Sequence, residues 1–247
     1  MSFQATKAEF ENRFWIIGGV FSIGFVLYAF DHVNAAEALA RLMVGPAGMS
    51  SSRAGYVIRA IFAAASLTVT AAALLRSWAE AYLKSSVVHD SALHSESLVA
   101  DGPYRYVRNP LYLGNILLAA GMGTMASRAG FFFILIGMTL VVYRLILREE
   151  AGLAASQGAG FLRYCDAVPR LLPALRPRVP AGGTRPNWVD GLTGESFMWG
   201  CAIGIAVFAV TLQLLHFWII MAAGFAIYFL QSFWRSRTAK SPTEPRP

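Results

Sequence analysis

Long apolar runs separated by short polar segments constrain the fold of this chain more than any other feature of its sequence. The first four runs occupy residues 14–30, 54–75, 111–126 and 130–147. The fifth run, residues 197–233, would be about 55 Å long as one helix, whereas the hydrocarbon core of a bilayer is roughly 30 Å thick. We therefore expect it to turn near residues 213–216 and to cross twice. The sequence predicts an all-α, polytopic transmembrane helical bundle of about six spans.

The scarcity of charge argues against a separate soluble domain. Only 14% of the residues are charged and 56% are hydrophobic, with a mean hydropathy of +0.50. Soluble domains usually carry about 25% charged residues. A chain so poor in charge lacks the polar surface that a soluble domain needs, so we expect an integral membrane protein.

The positive charges are distributed unevenly between the two sides of the predicted bundle. With the N-terminus in the cytoplasm, the outer segments hold only Arg41, Arg53 and Arg128, and nearly all other Lys and Arg residues lie on the inner side. This is the positive-inside distribution of membrane proteins. The net charge of +7 is then explained by topology and anionic headgroups, and we predict no nucleic-acid partner.

A polar, turn-rich segment, DGPYRYVRNPLYLG, precedes the third apolar run at residues 101–114. Gly102 and Pro103 predict a turn, and Asn109 and Pro110 predict the N-cap and the first residue of a helix. The free backbone N–H groups of such a helix start suit an anionic or hydrogen-bonding ligand. The alternative is a membrane-entry segment whose Tyr and Arg side chains lie at the headgroups.

A second polar segment, residues 148–170, follows the fourth apolar run. Glu149 and Glu150 are adjacent like charges at the end of that helix. Arg144 and Arg148 are one turn apart and could neutralise them, which would make this a solvated helix end. The other interpretation is a carboxylate held for a cationic ligand group, such as an ammonium or sulfonium, because charges at membrane depth usually face a cavity or partner.

Other familiar sites are not predicted. His89 and His94 belong to no Cys, His and carboxylate cluster with the spacing of metal ligands, so we predict no metal. Gly121 and Gly123 do not follow a strand, so they predict close helix packing rather than a dinucleotide fingerprint.

Together the two polar segments resemble the isoprenylcysteine carboxyl methyltransferase and phospholipid methyltransferase superfamily of integral membrane enzymes. Its pattern is G-x-Y-x-x-x-R-H-P-x-Y-x-G, an apolar hairpin, and then E-E-x-x-L-x-x-x-F-G-x-x-Y-x-x-Y-x-x-x-V-P. The matching residues are Gly102, Tyr104, Arg108, Pro110, Tyr112 and Gly114, then Glu149, Glu150, Leu153, Gly158, Tyr164, Val168 and Pro169. The resemblance covers roughly residues 98–173, under a third of the chain.

The resemblance implies S-adenosyl-L-methionine as the methyl donor, bound in a pocket at the cytosolic face. The residues that it assigns to this cofactor are His89, Leu98, Val99, Tyr104, Arg108, Asn109, Pro110, Leu111, Tyr112 and Glu149. Glu149 would face the ammonium group, which agrees with the charge argument above. The candidate catalytic residues are Arg144, Arg148 and Glu150, and either arginine could serve the acceptor.

Three positions depart from the superfamily pattern: Asn109 stands where many members have His, Gln157 replaces Phe, and Phe161 replaces Tyr. Asn109 cannot act as a base, so a carboxylate acceptor of the isoprenylcysteine type fits slightly better than an amine or thiol that must lose a proton. A phospholipid amine and a small thiol stay open as acceptors. A non-catalytic membrane scaffold and a transporter are the alternatives from other classes, although the spans carry few of the mid-membrane polar residues that transport needs.

These observations divide the chain into four parts. Residues 1–98 hold N-terminal membrane helices and an amphipathic segment, and residues 99–173 form the methyltransferase core. Residues 174–234 hold a Pro- and Gly-rich linker and a C-terminal hairpin, and residues 235–247 a disordered basic tail. The predicted partners are a lipophilic or lipidated acceptor and membrane lipids, with no prediction of oligomeric state.

Overall fold

A computed structural model describes residues 3–90 and 100–238, with the backbone alone for residues 84–90, 232 and 234–238. Within these ranges the chain is all-helical, as predicted. The α-helices are α1 (Lys7–Glu11), α2 (Arg13–Val26), α3 (Ala35–Val44), α4 (Ser52–Asp90), α5 (Pro110–Gly123), α6 (Arg128–Gln157), α7 (Ala159–Ala167), α8 (Trp188–Gly194), α9 (Ser196–Thr211) and α10 (Leu214–Thr238).

The main helices follow the predicted apolar segments, but only some of them have the length of a membrane span. In the described part of the chain, α4, α6 and α10 are long and apolar enough to cross a membrane, and α8 with α9 forms a fourth candidate that is bent by 60°. α2, extended by a 3₁₀ turn, and α5 are apolar but shorter. The protein is therefore an integral membrane protein with three or four candidate spans, and six spans stays a prediction.

α4 is the central element of the fold. The sequence predicts a span over residues 54–75, then an amphipathic helix and an irregular segment, but α4 continues as one helix of 39 residues. Its neighbours include α5, α8 and α9. The Pro- and Gly-rich linker contains a short helix, α8. An added Cβ at Gly191 of α8 would lie 2.4 Å from the carbonyl oxygen of Ser77 on α4, so glycine permits this close approach.

The helices pack as a row in the order α10, α9, α4, α5, α6, α2. Glycines lie where neighbours cross. An added Cβ at Gly121 of α5 would lie 2.3 Å from Cγ2 of Val69 on α4, so the packing predicted for Gly121 is confirmed. The row is curved, since Phe21 and Phe25 of α2 and Met198 of α9 belong to one packed core cluster although their helices are far apart in the row. This curvature encloses a cavity in front of α5.

Capping side chains join the loops at the end of the bundle that is opposite to the two polar segments. Asn34 accepts hydrogen bonds from the N–H groups of Ala36 and Glu37, and Ser127 accepts one from Gly130. These bonds satisfy N–H groups that no helical carbonyl can reach, so they fix the starts of α3 and α6. Asn34 and Ser127 also form an isolated β-bridge, which places α3 beside the α5–α6 turn.

Candidate functional site

A cavity of about 940 Å³ lies in front of α5, between α2 on one side and α9 and α10 on the other. This volume is typical of a small-molecule site. Residues of both polar segments line one end. Its apolar lining includes Phe14, Ile17, Phe21, Phe25, Leu118, Met122, Met198, Met221 and Phe225.

The two polar segments pack directly on each other. The backbone N–H of Arg108 donates to the carbonyl of Pro169 at 2.9 Å, and its Nη1 donates to the carbonyl of Cys165 at 2.8 Å. The Tyr164 hydroxyl donates to the carbonyl of Tyr104 at 2.8 Å. Burial raises the pKa of both tyrosines, so both are neutral phenols. The segments thus form one wall.

Glu150 on α6 is the centre of this wall. Its Oε2 accepts from Nε and Nη2 of Arg170 at 3.0 and 2.8 Å. Its Oε1 accepts from Nδ2 of Asn109 at 3.0 Å and lies 3.3 Å from Nε of Arg108. The bond to Glu150 raises the pKa of Arg170. Because the Glu150 side chain is only 11% exposed, we interpret it as the residue that holds the wall together.

The neighbouring Glu149 has different surroundings. Its Oε2 accepts a hydrogen bond from the hydroxyl of Tyr112 at 2.9 Å, and the residue is exposed and lines the cavity. Among the described residues, no Lys, Arg or His lies within ion-pair distance of it. A carboxylate that faces a cavity without a cation can accept one from a ligand.

The start of α5 is where the sequence predicts it, with Asn109 as the N-cap and Pro110 as the first helical residue. The Asn109 side chain makes no capping hydrogen bond, because it donates to Glu150 and to the carbonyl of Arg170. The first-turn N–H groups of Leu111 and Tyr112 have no acceptor within the helix. Both residues line the cavity, so this helix start can serve an anionic ligand group.

Arg144 and Arg148 do not belong to the cavity lining. Arg144 Nη2 donates to the Glu9 carboxylate at 2.8 Å, and Arg148 Nη1 donates to the carbonyl of Ala5 at 3.0 Å. They fasten the N-terminal segment to α6 instead of neutralising the paired glutamates. The geometry therefore does not support the expectation that either arginine serves the acceptor.

A second polar cluster, which sequence reasoning missed, also lines the cavity. Nε and Nη2 of Arg76 donate to the two carboxylate oxygens of Glu195, each at 2.8 Å. Nη1 of Arg76 donates to Oδ1 of Asn115 at 2.9 Å and to the carbonyl of Leu111 at 3.0 Å. We call Arg76, Asn115 and Glu195 the Arg76 cluster. The position of Arg76 directly after an apolar run is the signal that could have drawn attention to it.

Gly114 of the first motif makes room for this cluster. An added Cβ at Gly114 would lie 2.4 Å from Cγ of Arg76 and 2.6 Å from its Cδ. Any larger side chain would push Arg76 away from α5, so this glycine sets the position of the guanidinium.

Some predicted residues cannot be placed in the site. Leu98 and Val99 lie outside the described residues, and for His89 only the backbone, in α4, is described. Gln157 and Phe161, which depart from the superfamily pattern, both line the cavity. Oε1 of Gln157 is buried without a hydrogen-bond partner in the part of the chain that the structure describes.

A family model described as phospholipid methyltransferase matches residues 58–156, less than half of the chain. This family is part of the superfamily that the two motifs resemble, so the resemblance is confirmed for the stretch from α4 through most of α6. The match suggests methyltransferase activity and implies a lipid environment.

Two curated relatives are metal-resistance proteins. The cobalt-zinc-cadmium resistance protein of Cupriavidus metallidurans is 29% identical over 109 residues, 44% of this chain and 47% of the relative. The nickel-cobalt-cadmium resistance protein of Alcaligenes xylosoxydans xylosoxydans is 28% identical over 120 residues, 49% of this chain and 53% of the relative. The chain thus spans about half the length of the curated relatives it matches. No solved structure matches it.

Proposed function

We propose, from the phospholipid methyltransferase match over residues 58–156, that this protein is a membrane methyltransferase that uses S-adenosyl-L-methionine and acts on a lipophilic acceptor. The single observation that carries the proposal is one cavity lined by Tyr104, Tyr112 and Glu149 together. These residues come from the two polar segments, on either side of an apolar helical hairpin, and membrane anchoring alone gives no reason for them to share a cavity.

The polar end of the cavity fits the amino-acid part of this cofactor. Glu149 offers a carboxylate to the ammonium group, with Tyr112 orienting it. The open first turn of α5 offers N–H groups and a favourable helix dipole to the carboxylate. Gln157 brings a buried oxygen without a partner among the described residues, which a hydroxyl or amino group of the nucleoside could satisfy after a small side-chain rotation.

The rest of the cavity fits a lipophilic acceptor. Aromatic and methionine side chains of α2, α9 and α10 line it, and such surfaces bind apolar chains. α2 and α10 are the two ends of the helix row, so the gap between them is where we place entry from the bilayer. Phospholipid, isoprenylcysteine and small-thiol acceptors share this requirement for access.

When bound, the cofactor would supply a methyl group on a cationic sulfur, and Glu149, Tyr112 and the first turn of α5 would hold its amino-acid part. The protein has to align the two reactants and exclude water, and alignment alone can supply about 7–11 kcal/mol. Glu150 acts as a positioning residue, because its hydrogen bonds with Asn109 and Arg170 and its ion pair with Arg108 hold the wall in shape.

The site would lie on the cytoplasmic face. Asp31 and Arg128 pair at one end of α6, and Glu149 lies near the other. The positive-inside distribution assigns the Glu149 end to the cytoplasm, where this cofactor is made.

Methyl transfer can be tested with protein purified in lipid and methyl-labelled S-adenosyl-L-methionine, incubated with a membrane extract. We expect label in a lipid-soluble product, lost in Glu149→Gln and retained in Glu37→Gln, which removes an exposed carboxylate that pairs with Arg41 far from the cavity. Label no higher than in a protein-free control, together with no cofactor binding by calorimetry, would overturn the proposal.

A further inference from the structure

Glu195 comes from outside the stretch that matches the family, yet it completes the wall of the same cavity. It lies at the break between α8 and α9, where the helix pair bends by 60°. Its backbone carbonyl accepts from the N–H of Trp199, whose indole Nε1 donates to Oγ of Ser77 on α4 at 3.1 Å. The C-terminal helices therefore hold Glu195 in place against Arg76.

The Arg76 guanidinium is almost fully committed. Of its five N–H bonds, Glu195 accepts two, and Asn115 and the carbonyl of Leu111 accept one each. The Glu195 side chain is 6% exposed and the Arg76 side chain 20% exposed. A charge pair so poorly solvated is costly to separate.

Among the described residues, the cavity lining leaves no deep cation for an acceptor. The cations are Arg13, Arg76 and Arg108, and the anions are Glu80, Glu149, Glu150 and Glu195. Arg108 lies against Glu150, and Arg76 is paired with Glu195. Arg13 is exposed and donates to the carbonyl of Phe10. Glu149 is paired with no cation of the described lining, which suits a cationic donor and an acceptor that adds no negative charge.

We propose, on the basis of the proposed function, that Glu195 is a specificity-determining residue. Its carboxylate pairs with the Arg76 guanidinium and so prevents Arg76 from binding an acceptor whose reacting end is anionic. An anionic acceptor would have to displace Glu195 or face it across one guanidinium, and either is unfavourable in a site with little water. An acceptor that is uncharged at that end leaves the pair intact. This reverses the slight preference for a carboxylate acceptor that was inferred from Asn109.

An unprotonated amine nitrogen is one acceptor that meets this condition. Its lone pair forms the N–C bond, sulfur keeps the pair of the broken C–S bond, and the methylated nitrogen then releases its proton to water. The charge that appears on nitrogen during transfer is positive, so it adds no anion beside the Arg76–Glu195 pair.

The test compares two probes that differ only in charge: N-acetyl-S-farnesylcysteine, with a free carboxylate, and its carboxamide. We expect wild-type protein to bind the carboxamide at least as tightly as the carboxylate. In Glu195→Gln, binding of the carboxylate should tighten about tenfold or more, because Arg76 becomes available for a charge-assisted bidentate contact. Binding of the carboxamide should change little. Glu37→Gln is the matched control, and Arg76→Gln with Glu195→Gln should lose the gain.

The outcomes separate this inference from the proposed function. Two results would overturn the role of Glu195 alone. One is wild-type protein that binds the carboxylate probe about tenfold more tightly than the carboxamide. The other is a Glu195→Gln variant that binds the cofactor normally and has the same ratio of the two probe affinities as wild type. Wild-type protein that binds no S-adenosyl-L-methionine would overturn the proposed function itself. If Glu195→Gln fails to fold, Glu195→Asp takes its place, because it keeps the charge on a shorter side chain. We expect Glu195→Asp to shift the affinity ratio toward the carboxylate probe, and an unchanged ratio would also overturn the role of Glu195.

Discussion

α6 carries an arginine–carboxylate contact near each of its ends, and the two contacts differ in their solvation. At the start of α6, Arg128 is 55% exposed and pairs with Asp31 at 2.9 Å. Near its other end, Glu150 is 11% exposed and pairs with Arg108 and Arg170. Exposed pairs contribute little to stability, whereas a poorly solvated pair that loses one partner leaves a charge without compensation. The first contact joins a loop to the start of α6, and the second shapes the wall of a cavity.

Glu150→Gln should give the largest effect. It removes the charge that compensates Arg108 and Arg170 in a poorly solvated place, so we expect the free energy of unfolding to fall by about 3 kcal/mol and the melting temperature in detergent by roughly 6–12 °C. Thermal unfolding of the variant beside wild type measures this. A melting temperature equal to that of wild type would contradict the expected difference in stabilisation between the two arginine–carboxylate contacts of α6.

Gly114→Ala should follow in size. The new Cβ would overlap Cγ of Arg76, and overpacking of this kind costs about 1–3 kcal/mol. Because the guanidinium must move from Asn115 and Glu195, methyl transfer should fall with stability. Gly152→Ala on α6, where an added Cβ meets nothing within 4 Å, is the control. Equal activity and melting temperature in both variants would contradict the role of the Arg76 cluster.

Arg144→Ala and Arg148→Ala should have small effects, although both residues lie within two turns of Glu149. Their partners are in the N-terminal segment, and half-exposed contacts of this kind contribute about 1 kcal/mol or less. We expect the calorimetric Kd for S-adenosyl-L-methionine to stay within about threefold of wild type. Weakening by a factor of about ten or more in either variant would return that arginine to the site.

Asp31→Asn should have the smallest effect, and the effect should depend on pH. Hydrogen bonds from Arg128 and from the N–H of Ala129 lower the pKa of Asp31 to about 2. A lowered carboxyl pKa stabilises the folded state above the unfolded pKa of about 4, and this contribution disappears as the pH falls to about 2. The melting temperature of wild type should exceed that of Asp31→Asn slightly at neutral pH and converge with it in acid. A difference that grows in acid would contradict this sign.

The parts of this fold that depend on local signals were predictable. Pro110 gives the start of α5, because its fixed φ suits the first helical position, and the side chain of Ser127 caps the start of α6. Glu149, which the resemblance assigns to the cofactor, lines the cavity. The starts of α5 and α6 could therefore be inferred from nearby residues, whereas the continuation of α4 to Asp90 could not.

The parts that depend on distant partners were not predictable. Arg76 and Glu195 are separated by 119 positions, and no periodicity indicates that they meet. Arg144 lies near the glutamates in sequence, but its partner is Glu9, because helical position decides which neighbour a side chain faces. Glu150 was expected to be catalytic. Its contacts with Arg108, Asn109 and Arg170, which make it a positioning residue instead, come from distant parts of the sequence.

Calorimetric titration of S-adenosyl-L-methionine into wild-type protein and Glu149→Gln, both in lipid, tests the central claim most directly. Glu149 is exposed and has Tyr112 as its hydrogen-bond partner, so the variant should keep its melting temperature. The loss of a charged contact to the ammonium group should weaken binding by about tenfold or more. Binding by Glu149→Gln that equals wild type, with Glu37→Gln as the control, would contradict the account.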